Sequence, residues 1–282
     1  CTIRSAVYGV LADSANLRLQ DCRIVLSGLD GLYVWGDTWL GMENCTLQDN
    51  GRHGLQVQTS KPWGYVQGTT FQRCGGYPCL LKATCVEMLG NGNSFLQNFR
   101  QLIGVDCGGS PDIKDEDIWA DRGVPYDLNG GGTNQELEIA SEGSLKIRSN
   151  VRLYPPRRIA VAGALLVSGT GSERVTIAPP GSPQPGDWLG IAFSAGSYGR
   201  LANVTIGWAR EAVSVDGANV ELIRARIHDS ELDGVFAGGA SNLQVAECNF
   251  RNCGRSGLRV PQPASSVSVS GSRFVACGEY PI

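Results

Sequence analysis

A chain of 282 residues is too long for one ordinary compact core, so either two domains or one elongated repeat structure is expected. Gly supplies 38 residues while aromatics make up 7% and Met only 2, which suits tight turns between short strands better than a helical core. A formal net charge of -3 without a Lys/Arg-rich run argues against a nucleic-acid partner. The longest apolar stretches, such as 159–167, are interrupted by Gly and fall short of the roughly 20 residues of a membrane span.

From the first residues onward the chain repeats one unit: an aliphatic or Phe anchor, a short polar turn, then Gly or Pro followed by an apolar residue. The anchors are Ile3, Ile24, Leu47, Phe71 and Phe95, separated by 21, 23, 24 and 24 residues. That period is too long for a hairpin and carries no helical face, but it fits one turn of a solenoid built from three short strands. Within the unit, Cys22-Arg23-Ile24-Val25-Leu26 and Leu55-Gln56-Val57-Gln58 alternate inward and outward. Stacking the coils about 4.8 Å apart places equivalent residues in columns.

Cysteines occupy such columns. Cys1, Cys22, Cys45 and Cys248 lie two residues before an anchor and read as a reduced core ladder, because small buried thiols fill narrow interiors. Cys74, Cys253 and Cys277 lie three residues after one, near a turn, where a bridge between Cys253 and Cys277 is equally compatible with the spacing.

Between Gly108 and Gly132 the pattern lapses into a Gly-, Pro- and Asp-rich stretch that reads as a linker or cap. Alternating segments resume at Leu137-Glu138-Ile139 and Leu145-Lys146-Ile147, continue at Val151, Ile159, Leu165 and Val175, and pass through a Pro-rich loop into 188–193. Anchors then return at Ile206, Ile227, Phe250 and Phe274, each 203 residues after its counterpart in the first half. Residues 1–79 overlay 204–282 without a gap and roughly a third are identical, including Leu29-Asp30-Gly31 against Leu232-Asp233-Gly234 and Phe71, Cys74, Gly75, Tyr77 and Pro78 against Phe274, Cys277, Gly278, Tyr280 and Pro281. The expected organisation is therefore tandem: 1–110 as the C-terminal coils of a first β-helix unit, 111–134 as linker or cap, and 135–282 as the N-terminal and central coils of a second. Because both ends fall in mid-coil, further coils are expected beyond them.

The order Asp117-Ile118-Trp119, Val124-Pro125-Tyr126, Leu145-Lys146-Ile147, 159–165, Gly169-Thr170 and Gly186-Asp187-Trp188-Leu189-Gly190-Ile191 resembles the opening coils of bacterial parallel β-helix repeat proteins of the pectate-lyase-like superfamily. The resemblance implies an all-β, right-handed parallel β-helix, a single-stranded solenoid with three short strands per coil. It also implies secretion or surface display, commonly in multi-unit proteins, and a packing role for Trp188. It says little about activity, since such scaffolds host many functions.

Enzymes on this scaffold act on acidic polysaccharides, using clustered acids with a metal and a base, or two spaced carboxyls. No such acid cluster stands on adjacent coils, so neither metal nor cofactor is expected. If the chain is an enzyme, the candidates are Asp30, His53 and Tyr77, six residues after successive anchors, with Arg52 beside His53; a His and a Tyr could act as base and acid. Otherwise these are turn residues beside the Gly or Pro that ends each turn; the duplicate column is Asp233, Ser256 and Tyr280, with no His. His228, one residue after its anchor, reads as an exposed surface group.

Trp35, Trp39 and Trp63 near coil edges could stack on sugar faces, but read first as covers for a loop edge. Asn44 and Asn203 match glycosylation sequons, yet stand three residues before an anchor, where Asn supports a turn. The function expected first is a non-enzymatic extracellular or bacterial cell-surface structural protein forming a rigid β-helix rod or part of a larger assembly. A polysaccharide lyase or hydrolase comes second, and a carbohydrate-binding or adhesive module third. The partners considered are polysaccharide or surface glycan, self-association and other surface proteins.

Overall fold

The computed structural model describes residues 1–59, 63–132, 135–261 and 265–278, with Trp63 described by its backbone. Two compact units form: 1–108 with 122–132, and 109–121 with the described residues from 135 to 278. Both are stacks of coils whose strands pair in parallel with their counterparts one coil away.

In the first unit, strands from Thr2–Arg4 to Ser94–Leu96 make the anchor sheet. Strands from Val10–Asp13 to Tyr126–Asp127 make a second sheet, and Asn16–Gln20, Leu40-containing Trp39–Glu43 and Trp63–Gln67 a third. The anchors meet in register: Ile3 opposite Ile24, Ile24 opposite Leu47, Leu47 opposite Phe71, and Phe71 opposite Phe95. Ile24, Leu47 and Phe71 are fully buried, and the Phe71 and Phe95 rings stack with centroids 5.6 Å apart. Their burial removes several side chains' worth of apolar area from water, about 1.5–3 kcal/mol for each fully buried residue.

The second unit repeats this plan. Ile206, Ile227, Phe250 and Phe274 follow one another in register, ending in a ring stack at 4.6 Å. The offset of 203 holds for strands as well as letters: Asn16–Gln20 corresponds to Asn219–Ile223, and Thr46–Gln48 to Asn249–Arg251.

Left-handed residues bracket each anchor strand. Asp21, Asn44, Asn203, Arg224 and Glu247, three residues before anchors, have φ between 49° and 54°. Two residues after them, Ser5, Leu26, Asp49, Arg73, Gln97, Trp208, Asp229, Asn252 and Ala276 have φ between 49° and 57°. A side chain in this region is uncommon, with Asn and Asp best suited to it, so these two columns are the corners of the coil. Asn44 and Asn203 thus support turns, as their spacing indicates.

The stretch 108–132 is not structureless. It contributes strand Glu116–Trp119, paired with Ser144–Arg148 in the second unit, and strand Tyr126–Asp127, paired with Ile103–Asp106 in the first. The first of these was marked by the resemblance at Asp117-Ile118-Trp119 and not by apolar alternation, because its two inward positions are Asp117 and Trp119, an acid and an aromatic rather than an apolar pair.

All ten cysteines are free thiols. Cys1 and Cys22 bring their Sγ atoms to 3.0 Å, and Cys45 continues the column. The column then changes chemistry: the Cys45 N–H donates to Thr69 Oγ1 at 3.3 Å, and the Thr69 N–H to Asn93 Oδ1 at 3.0 Å. A second internal ladder follows the anchors, where the Ser27 N–H donates to Asn50 Oδ1 at 3.1 Å and the Cys74 N–H to Asn98 Oδ1 at 3.0 Å. Thiol, hydroxyl and amide are interchangeable here because each is small enough for the interior and satisfies a corner N–H or carbonyl.

Candidate functional site

The coil period brings the four sequence candidates together on one edge of the first unit. Asp30 ends the corner before strand Leu32–Trp35 and has no exposed surface. Its carboxylate accepts from Arg52 Nε at 2.8 Å, from Arg52 Nη2, and from the His53 N–H at 3.0 Å, all one coil away. The guanidinium pairing raises the Arg52 pKa further, against the opposing effect of burial. A buried carboxylate is tolerable only with such partners.

His53 in turn accepts the Tyr77 N–H at Nδ1, at 3.1 Å, and its ring lies over the Tyr77 ring with centroids 5.7 Å apart. Burial, together with the charges of Arg52 and Arg100, outweighs the attraction of Asp30 and lowers the imidazole pKa. A neutral imidazole whose Nδ1 is an acceptor carries its proton on Nε2. What His53 offers outward is therefore a donor.

Tyr77 is 5% exposed and packs flat on Gly104, where a Cβ would stand 2.9 Å from the ring. Its hydroxyl donates to Asp127 Oδ2 at 2.6 Å and accepts from Arg100 Nη1 at 2.8 Å, while the Arg100 guanidinium also lies 4.9 Å from the ring centre. Burial and the Asp127 carboxylate push the phenol pKa well up. Asp127 and Arg100 escaped sequence reasoning. Asp127 is 50 residues from Tyr77, two coils away, and lies in the stretch read as a linker.

The same Asp–Arg staple recurs without His. Asp233, also fully buried, accepts from Arg255 Nε at 2.9 Å and from its Nη2, with Arg259 Nη1 4.0 Å away. Ser256 stands where His53 does, and Tyr280 lies outside the described residues.

The tryptophans separate. Trp35 points outward from the second sheet, 4.8 Å from Tyr33, which stacks on Tyr8 at 5.9 Å. Trp39, on the third sheet, meets Tyr65 edge-on at 6.0 Å. The side chain of Trp63 lies outside the described residues. Trp188 is 3% exposed and donates from Nε1 to the Gly207 carbonyl at 3.0 Å.

His228 is half-buried. Its Nδ1 lies 2.7 Å from Asp229 Oδ2 and its ring meets Trp208 edge-on at 4.7 Å.

Burial raises the thiol pKa values of Cys45, Cys79, Cys248 and Cys253, and that of Cys74 to about 11, so these five are poor nucleophiles at neutral pH. Among the described residues no three His, Cys, Asp or Glu side chains gather to hold a metal ion, and no helix is long and apolar enough to cross a membrane.

Three-strand coils, parallel register and columns of stacked anchors define a parallel β-helix solenoid. The profile of the family described as "Right handed beta helix region" matches residues 1–139 and 185–282, and the chain belongs to that family. Among curated proteins none matches its sequence. A solved structure that aligns with it is the Azotobacter vinelandii mannuronan C-5 epimerase AlgE6 A-module, at 10% identity, 92% coverage of this chain, 90% of that one, and a TM-score of 0.31.

Proposed function

We propose that this chain is a non-enzymatic structural segment of an extracellular or cell-surface protein, its tandem β-helix units serving as a rigid framework within a larger assembly. The observation that carries the proposal is the occupation of the candidate chemistry by the fold itself. Asp30 and Arg52 are locked to each other, and Tyr77 OH is held between Asp127 and Arg100. His53 spends Nδ1 on the Tyr77 N–H, leaving no imidazole lone pair for proton abstraction. The recurrence of the staple at Asp233 and Arg255 supports a role in joining coils, and stacked coils give length without redesign of the core.

The test is incubation with polygalacturonate and alginate, reading both reducing ends and unsaturated uronate products. No product is expected from the native chain. Turnover that disappears in His53→Ala would overturn the proposal and establish a lyase or hydrolase.

A carbohydrate-binding role is the second reading, favoured by the outward aromatic row Tyr8, Tyr33 and Trp35. Binding on a glycan array that is lost in Trp35→Ala would establish it.

A further inference from the structure

The outer face of the anchor sheet in the second unit differs from the rest of the molecule. Arg226 and Arg251 stand on adjacent coils as diagonal neighbours, since Arg226 is opposite Asn249 and His228 opposite Arg251. Diagonal positions lie within reach of long side chains. Both arginines are exposed, and neither is ion-paired among the described residues, whereas nearby Arg224 pairs with Glu247 at 3.0 Å and Arg200 with Glu221 at 3.3 Å. A third guanidinium stands near Arg226: Arg174 donates to Thr205 Oγ1 at 3.3 Å and to the Val204 and Arg224 carbonyls, and burial with the neighbouring charge of Arg226 lowers its pKa.

At Arg226 and Arg251 is a groove of about 500 Å³, lined also by His228, Asp229, Asn249 and Asn252. Asp229 is its single acid and is already engaged, by His228 at 2.7 Å and by Asn252 Nδ2 at 2.8 Å. The His228 ring rests on Gly207, where a Cβ would be 2.5 Å from Cε1, and Trp208 walls its other side. The imidazole is therefore fixed, with Nδ1–H donating to the Asp229 carboxylate at the groove wall.

We propose that this groove is an oxyanion-binding site, taking a carboxylate, sulfate or phosphate group carried on a hydroxylated molecule. Guanidinium forks match the oxygens of such groups and gather here without a free counter-charge. The Asn249 and Asn252 amides that line the groove suit hydroxyls. The site is confined to this unit. At the corresponding positions of the first unit, 203 residues earlier, His228 and Asp229 are Val25 and Leu26, and Arg251 is Gln48, on the same backbone.

The chain holds only two histidines, so their ring-proton NMR signals can be followed separately and assigned with His53→Ser. Titration with inorganic sulfate, inorganic phosphate and glucuronate is expected to give a saturable shift of the His228 signal with at least one of them, the His53 signal staying in place. The responding anion identifies the source chemistry. In the Arg226→Ala/Arg251→Ala variant the affinity should fall about tenfold or more, as loss of charge-assisted hydrogen bonds requires. An unshifted His53 signal there reports that the fold is intact. Absence of a saturable shift with all three anions at tens of millimolar, an equal shift of both histidines, or binding unchanged in the double variant would each overturn the proposal.

Discussion

Coils at 2–78 and 205–278 are built on the same strands, corners and buried Asp–Arg staple, yet they present different chemistry to solvent. The first carries the His53–Tyr77 stack and the aromatic row at Tyr33 and Trp35. The second puts Ser256 at the His53 position and gathers arginines around His228 on its anchor strands. The comparison teaches that in a solenoid the inward columns are tied to stability, while outward positions can change one coil at a time.

The largest effect should come from what the two regions share. Phe71→Ala and Phe250→Ala each remove a fully buried ring and should cost about 3–5 kcal/mol in urea unfolding. Markedly unequal costs would show that the equivalence of the two cores is one of backbone only.

The staple sharpens the comparison. Arg52→Ala leaves Asp30 without its guanidinium and should cost about 3 kcal/mol, the low end for a broken buried pair because the arginine reaches solvent. Arg255→Ala should cost less, since Arg259 stands 4.0 Å from Asp233 and can take over. Equal losses would show that Arg259 gives no such cover.

The smallest effect separates the regions by pH. Burial lowers the His53 pKa in the folded state, so below the unfolded value of about 6.5 the unfolded chain takes up the proton first. The stability contribution of neutral His53 is complete above that pH and declines as pH falls through the folded pKa. His53→Ser, which installs the residue found at the equivalent position of the second unit, should flatten this limb in melting curves taken between pH 7 and pH 5. An unchanged slope would show that another group is responsible.

Much of the fold was legible because anchors and corners repeat at fixed distances, so Ile24, Leu47 and Phe71 could be placed in one column from spacing alone. The grouping of Asp30, Arg52, His53 and Tyr77 followed from the same period. What spacing does not encode is chemical equivalence or longer reach. Thr69 and Asn93 continue a cysteine column through hydrogen bonding rather than likeness. Asp127 reaches Tyr77 across two coils. Strand Glu116–Trp119 turns an acid inward, so apolar alternation could not reveal it. The His228 groove depends on residues from two adjacent coils, which no single stretch of sequence displays together.

The corner before each anchor is constant: Gln20, Glu43, Gln67, Ile223, Ala246 and Ser270 each end a strand four residues ahead of the next anchor. Changes in coil length fall elsewhere: one residue enters between the anchor and second sheets, Ile24 to Leu32 being one longer than Ile3 to Val10, and the rest between the second and third sheets, from Asp13 to Asn16, from Trp35 to Trp39 and from Val57 to Trp63, with similar growth from Asp216 to Asn219, Gly238 to Asn242 and Arg259 to Ser266. That edge is a natural graft point: a foreign peptide spliced there would be held out at a chosen height along the stack, leaving the hydrogen-bonded ladders on either side undisturbed.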